Sequence, residues 1–112
     1  MNIVNLTPHD ITVRIEGLDT VFPKSGTVAR VSQISEFLFN INGIPAFESK
    51  FGDVLDIPEE GSAKDTIYLV SGLVLSAVAG NRADCIAPKT DNTAIRNEAG
   101  HIVAVAGFIF SS

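Results

Sequence analysis

The 112-residue sequence has one cysteine, Cys85, so no internal disulfide can staple it. No apolar run reaches the ~18 uncharged residues that a membrane-spanning helix requires, because charged residues recur throughout. The opening, MNIVNLTPHD, lacks the basic segment and following apolar segment of a secretory signal. Together these absences predict a cytoplasmic protein in a reducing compartment, with no membrane partner. Basic residues are also scarce: eight Lys and Arg stand against thirteen Asp and Glu, a net charge of −5. Ten of the acidic residues precede Thr66, and after it three acidic residues balance three basic ones. Binding of duplex nucleic acid needs a basic footprint that this chain does not have. A small anion held by two or three arginines is compatible with the balance.

The fingerprints of catalysis and cofactor binding are missing too. Gly72, Gly80, Gly100 and Gly107 are too scattered for a phosphate loop or a dinucleotide-binding motif. The LVSGL around Ser71 is not a G-x-S-x-G elbow, so a triad of Ser71 with His9 or His101 has no scaffold. Two histidines and one cysteine without ligand spacing do not make a metal site. Thr7, His9 and Asp10 are neighbours around Pro8, and in a proline turn such residues satisfy backbone groups more often than they catalyse. The expectation is a protein that is not an enzyme and carries no cofactor.

What is present is organised around Thr66 to Pro88. The β-branched run Thr66 to Val70 reads as a strand covered on both faces, and Ser71 as the N-cap of a short helix over about residues 71–80. Leu73, Val74, Leu75, Ala77, Val78 and Ala79 go round the whole circumference, which predicts burial on nearly every side. Ala83 to Ala87 follows as another strand. Before this unit, Asn2 to Leu6 is a strand ended by the Thr7-Pro8-His9-Asp10 turn, and Ile11 to Glu16 alternates with period two. Gly17-Leu18-Asp19 turns the chain, and Thr27 to Ser32 reads as a further strand. Asn42-Gly43, flanked by FLFNI and IPAF, marks a two-residue hairpin, with Pro45 at an edge or strand start. Phe51 to Lys64 reads as an acidic loop, and Thr93–Asn97 with His101–Phe110 as a second hairpin about Gly100. The fold class expected is therefore α+β: a single domain, residues 1–112, of predominantly antiparallel hairpins around one short buried apolar helix. A positive mean hydropathy and the unbroken HIVAVAGFIF point to a homo-oligomer whose interface covers the excess apolar surface.

The segments NLTPHDI, FPKSGTVARV, IYLVSGLVLSAV, RADCIAP and AIRNEAGHIVAVAGF resemble a family of small phage and prophage proteins with an N-L-T-P-H N-terminus. The resemblance covers most of the chain apart from the FLFNINGIPAFESKFGDVL region. It implies a phage source and a host-cell cytoplasmic setting. By analogy of source and size, it implies a role like that of the anti-Thoeris and anti-CBASS sponges, which sequester nucleotide signals.

The polar residues that interrupt apolar sequence are the candidates for such binding. Ser71 opens a helix after a buried strand, where free N–H groups favour an anion, although capping alone explains it. Arg82 offers a planar fork for a phosphate or carboxylate, or pairs with Asp84 on the same side of an extended segment. Arg96 and Arg30 are further forks or plain surface residues, and Thr7 and His9 offer polar atoms at the turn. The leading expectation is a small binding protein that sequesters a phosphorylated, nucleotide-derived ligand without degrading it. The alternatives are a structural or protein-interaction protein and, least favoured, a small hydrolase.

Overall fold

In the computed structural model, which describes residues 1–110, the predicted β-branched run is a strand in the middle of a sheet. In chain order the elements are β1 (Asn2–Asn5), β2 (Ile11–Ile15), β3 (Leu18–Phe22), β4 (Arg30–Ile41), β5 (Ile44–Leu55), β6 (Thr66–Leu69), α1 (Gly72–Val78), β7 (Cys85–Pro88), β8 (Ile95–Arg96), β9 (Ile102–Ala104) and β10 (Phe108–Ile109). The main sheet has the order β1-β6-β7-β10. β6 pairs in parallel with both β1 and β7, and β10 closes against β7 antiparallel. Three antiparallel hairpins, β2–β3, β4–β5 and β8–β9, surround it. The fold is α+β and mostly β, with one short helix, as the sequence predicts.

The alternation of side chains along β6 and β7 makes two cores. On one face Tyr68, Val70, Cys85 and Ala87 join Leu6, Ala29 and the helix residues Val74, Leu75 and Val78 in a single cluster. Val31 and Val54, at the base of β4–β5, pack against that cluster from outside. Leu69 and Ile86 point the other way and are 0% and 2% exposed. That side is covered by the small hairpins, which are joined by backbone bonds from Arg14 N–H to the Val105 carbonyl and from Val105 N–H to the Thr12 carbonyl. Edge-on contact of the Phe22 and Phe108 rings, 5.3 Å between centroids, supports the same layer.

The helix is shorter and less enclosed than its apolar circumference implies. It buries Val74, Leu75 and Val78, while Leu73 is 44% exposed. The sheet covers one side of it and the β4–β5 base contributes only a partial second wall. HIVAVAGFIF is likewise not one strand. The chain breaks after Val105, and Ile102, Val103 and Ile109 are partly exposed. The first hairpin turns at Glu16-Gly17, one residue earlier than the sequence suggests.

The largest difference lies between Arg30 and Leu55. Asn42 and Gly43 both have positive φ, +50° and +79°, the backbone of a primed two-residue turn. The strands they join are each twelve residues long, so β5 takes in the FGDVL segment expected in the acidic loop. Gly52 sits at an irregularity of the ladder where a Cβ would overlap the Ser32 hydroxyl, which would have to turn aside for any larger residue. Beyond Val31 and Val54 the ribbon leaves the body. Its protrusion raises the radius of gyration to 16.6 Å, against about 13 Å for a compact chain of this length.

The two leucines of α1 separate these environments. Leu75→Asp should destabilise by several kcal/mol, comparable with a total stability of ~5–15 kcal/mol, because it places an unpaired charge in a dry core. Leu73→Asp should cost under about 1 kcal/mol. Thermal melts of the two variants check the contrast.

Candidate functional site

The residues singled out for chemistry fall into two groups at opposite ends of the parallel strands. At the carboxyl ends, β1 finishes in Asn5, whose side chain is almost fully buried. Its Nδ2 donates to the carbonyls of His9 at 2.9 Å and Phe22 at 2.8 Å. Its Oδ1 accepts from the Thr7 amide at 2.9 Å and lies 2.7 Å from Thr7 Oγ1. The Thr7 hydroxyl is also 2.9 Å from the His9 carbonyl, so its single proton serves one acceptor at a time. This knot explains the Asn-Leu-Thr-Pro-His opening: the polar side chains replace backbone bonds that the turn cannot make for itself. Among the described residues no buried side-chain N or O atom is left without a partner.

Ser71 lies beside this turn. Its hydroxyl accepts from the Val74 amide at 3.3 Å, so it caps α1. Thr7, Pro8, His9, Ile11, Ser71, Gly72, Pro88 and Thr90 line an open cleft of about 290 Å³, with mostly apolar walls. Thr7, His9 and Ser71 are thus brought together outside the carboxyl ends of β1, β6 and β7, where open parallel sheets often place ligands. The Thr7 and Ser71 oxygens are engaged with the backbone, and the side chains of His9 and Thr90 are the exposed polar groups.

At the other end, Arg82 and Asp84 precede β7. Arg82 Nε and Nη2 donate to the two Asp84 carboxylate oxygens at 2.8 and 2.7 Å, a bidentate pair with side chains 12% and 15% exposed. Arg82 Nη1 donates to the Pro58 carbonyl at 2.6 Å, and its guanidinium lies 5.8 Å from the centre of the Tyr68 ring. Glu60 accepts from the Ala83 amide at 2.8 Å. Arg82 therefore fastens the acidic 56–65 segment to the sheet. Its hydrogen bond to Asp84 holds the Asp84 carboxyl below the usual carboxylate range and raises the Arg82 guanidinium. The cleft on this side is bordered by Met1, Glu60, Lys64, Asp65 and Asp84, with Asp84 already paired to Arg82, so it offers no surplus of positive charge for a phosphate.

The remaining arginines stand on separate elements. Arg96, in β8, donates to the Gly100 carbonyl across its own hairpin turn at 2.8 Å. Arg30 is exposed at the first position of β4, opposite Leu55. The structure brings Arg82 to Asp84 and Thr7 to His9 and Ser71, and these two groups lie at opposite ends of β6 and β7. Burial pushes the Cys85 thiol up to about 11, which leaves it protonated and unreactive at neutral pH. Among the described residues no group of three or more His, Cys, Asp or Glu is placed to hold a metal ion. Among the described residues no helix is long and apolar enough to cross a membrane.

A different feature dominates the surface. Ile34, Phe37, Leu38, Phe39, Ile41, Ile44, Phe47, Phe51 and Leu55, all on β4 and β5, are each between 45% and 68% exposed. The signal in the sequence was apolar residues at consecutive positions on both sides of Asn-Gly, a pattern that a one-sided hairpin cannot bury. Comparison of the chain with known protein families, with curated proteins and with solved structures finds no match.

The Arg82–Asp84 pair carries a pH signature. A carboxyl whose folded pKa is depressed stabilises the fold above its unfolded value of ~3.9, and that contribution disappears as pH falls through the lower folded value. Asp84→Asn should therefore cost about 1–3 kcal/mol at neutral pH. The gap to wild type should close as pH drops below ~4, measured by denaturant unfolding at a series of pH values.

Proposed function

We propose that this chain is a protein-interaction protein that works through the β4–β5 ribbon and has no catalytic role. The observation that supports the reading is the exposure of nine large apolar side chains on a ribbon that leaves the body. An isolated two-stranded ribbon is marginal in water, and one that is apolar on both faces lowers its free energy by being covered. Patches of this kind mark contact surfaces on soluble proteins, and an extended ribbon can reach a partner surface that a globular body cannot. The polar residues elsewhere have structural tasks that account for them: a turn, a helix cap and a loop clamp.

A photo-crosslinking amino acid at Phe47 tests this reading, with the same group at Leu18, 76% exposed on the body, as control. The expected result is one adduct of defined mass from position 47, identified by mass spectrometry, and none from position 18. Equal labelling from both positions, or no adduct from 47, contradicts it.

A second reading is supported by one observation, the cleft that gathers Thr7, His9 and Ser71. In it the chain holds a small nucleotide-derived signal in the host cytoplasm without altering it. Incubation with a panel of cyclic dinucleotides, cyclic trinucleotides and cyclic ADP-ribose isomers, followed by denaturation and assay, tests this. Release of intact ligand supports it, and no capture removes it.

A further inference from the structure

The two faces of the β4–β5 ribbon are chemically different, and the difference identifies a partner. Register and alternation put Gln33, Ser35 and Phe37 of β4 on one face with Pro45, Phe47, Ser49 and Phe51 of β5. The Phe37 and Phe47 rings meet edge-on there, 6.0 Å between centroids. The opposite face carries Glu36, Glu48 and Lys50, with the Lys50 ammonium 2.9 Å from Glu36 and 3.9 Å from Glu48, set between Ile34 toward the base and Phe39, Ile41 and Ile44 toward the tip. From Gln33 to Phe37 and from Pro45 to Phe51 the phenylalanine face is therefore free of charge, while the other has an ion-paired belt across the middle of its apolar residues. It is also the side on which Val31 and Val54 pack over the core at the base of the ribbon. The core-covering side runs on past the body with nothing beneath it.

We propose that a second copy of this chain covers this face, the two ribbons stacking phenylalanine face to phenylalanine face about a two-fold axis. This rests on the interaction reading above and names its partner. Identical uncharged faces meet without like-charge repulsion and bury no ion, whereas an acidic or basic partner or a nucleic acid finds no charge to pair with on them. The area is sufficient. Three phenylalanines, 45–58% exposed, supply roughly 300 Å² per ribbon if a full aromatic side chain carries ~200 Å². With the serine, glutamine and proline surface between them, the face reaches the ~500 Å² per partner of a small specific interface. Stacked ribbons ~10 Å apart make a four-stranded sandwich, in which each ribbon gains the second layer it lacks alone. Closed two-fold pairs are also the commonest soluble assembly.

The test is the mass of the full chain by light scattering up to about 100 µM, above the micromolar dissociation constants of small interfaces. Wild type should read about 24 kDa, twice the 11.9 kDa chain. Phe37→Ser and Phe47→Ser should each weaken association about tenfold or more, with a body melting transition like that of a wild-type monomer. Ser49→Glu keeps both rings and sets like charges face to face, and it too should give 11.9 kDa monomers. A wild type that stays monomeric at the highest concentration overturns the self-association and leaves the ribbon to a different protein. A dimer unaffected by all three substitutions overturns both the inference and the ribbon as the contact surface.

Discussion

The backbone hydrogen bonds of β6 are the constraint on which the rest of the structure depends. Thr66–Leu69 is paired on both edges, by β1 and β7, and covered on both faces, so its four residues hold together elements far apart in the chain. Tyr68 N–H donates to the Asp84 carbonyl and Val70 N–H to the Ile86 carbonyl, and Leu6 N–H donates to the Leu69 carbonyl. Parallel pairing of this kind requires a crossover, and α1 is the crossover between β6 and β7. The helix is short because the chain has only to climb from the end of one strand to the start of its neighbour.

That arrangement satisfies the body and leaves the ribbon over. Val31 and Val54 are the last residues of β4 and β5 that the helix side of the core can use, and past them the chain continues for eight paired positions with no layer below. A single-layer ribbon cannot hide both faces, so the distribution of charge decides which face stays wet. Glu36, Glu48 and Lys50 occupy one face together, and their mutual pairing at the surface adds under about 1 kcal/mol. Their larger effect is to set charge amid Ile34, Phe39, Ile41 and Ile44, so that covering that face would desolvate an ion pair, whereas covering the phenylalanine face would not.

The local elements were readable because their signals are local. Asn42-Gly43 forms its hairpin, Ser71 its cap and Gly100 its turn, since each depends on φ preferences or on a hydroxyl within one turn of the chain. The parallel pairing of β1 with β6 was not readable, because it joins residues more than sixty positions apart with no intervening pattern that encodes the register. For the same reason Asn5 looked like an ordinary strand residue, and its role emerges only when Phe22 and His9 arrive beside it. Ser71 and Arg82 bracket one helix in sequence. In space the crossover carries them to opposite ends of the sheet, which is why a site built from both does not assemble. The excess apolarity of the composition was assigned to an interface in HIVAVAGFIF, whereas the exposed large apolar side chains are concentrated on β4 and β5.

Amide hydrogen exchange across residues 33–51 at about 1 µM and about 100 µM tests the covered ribbon most directly, because backbone protection reports the ribbon itself. Pairing of two phenylalanine faces predicts that these amides exchange about tenfold or more slowly at the higher concentration, while those of β6 are unchanged. Fast exchange across the ribbon at both concentrations would contradict it.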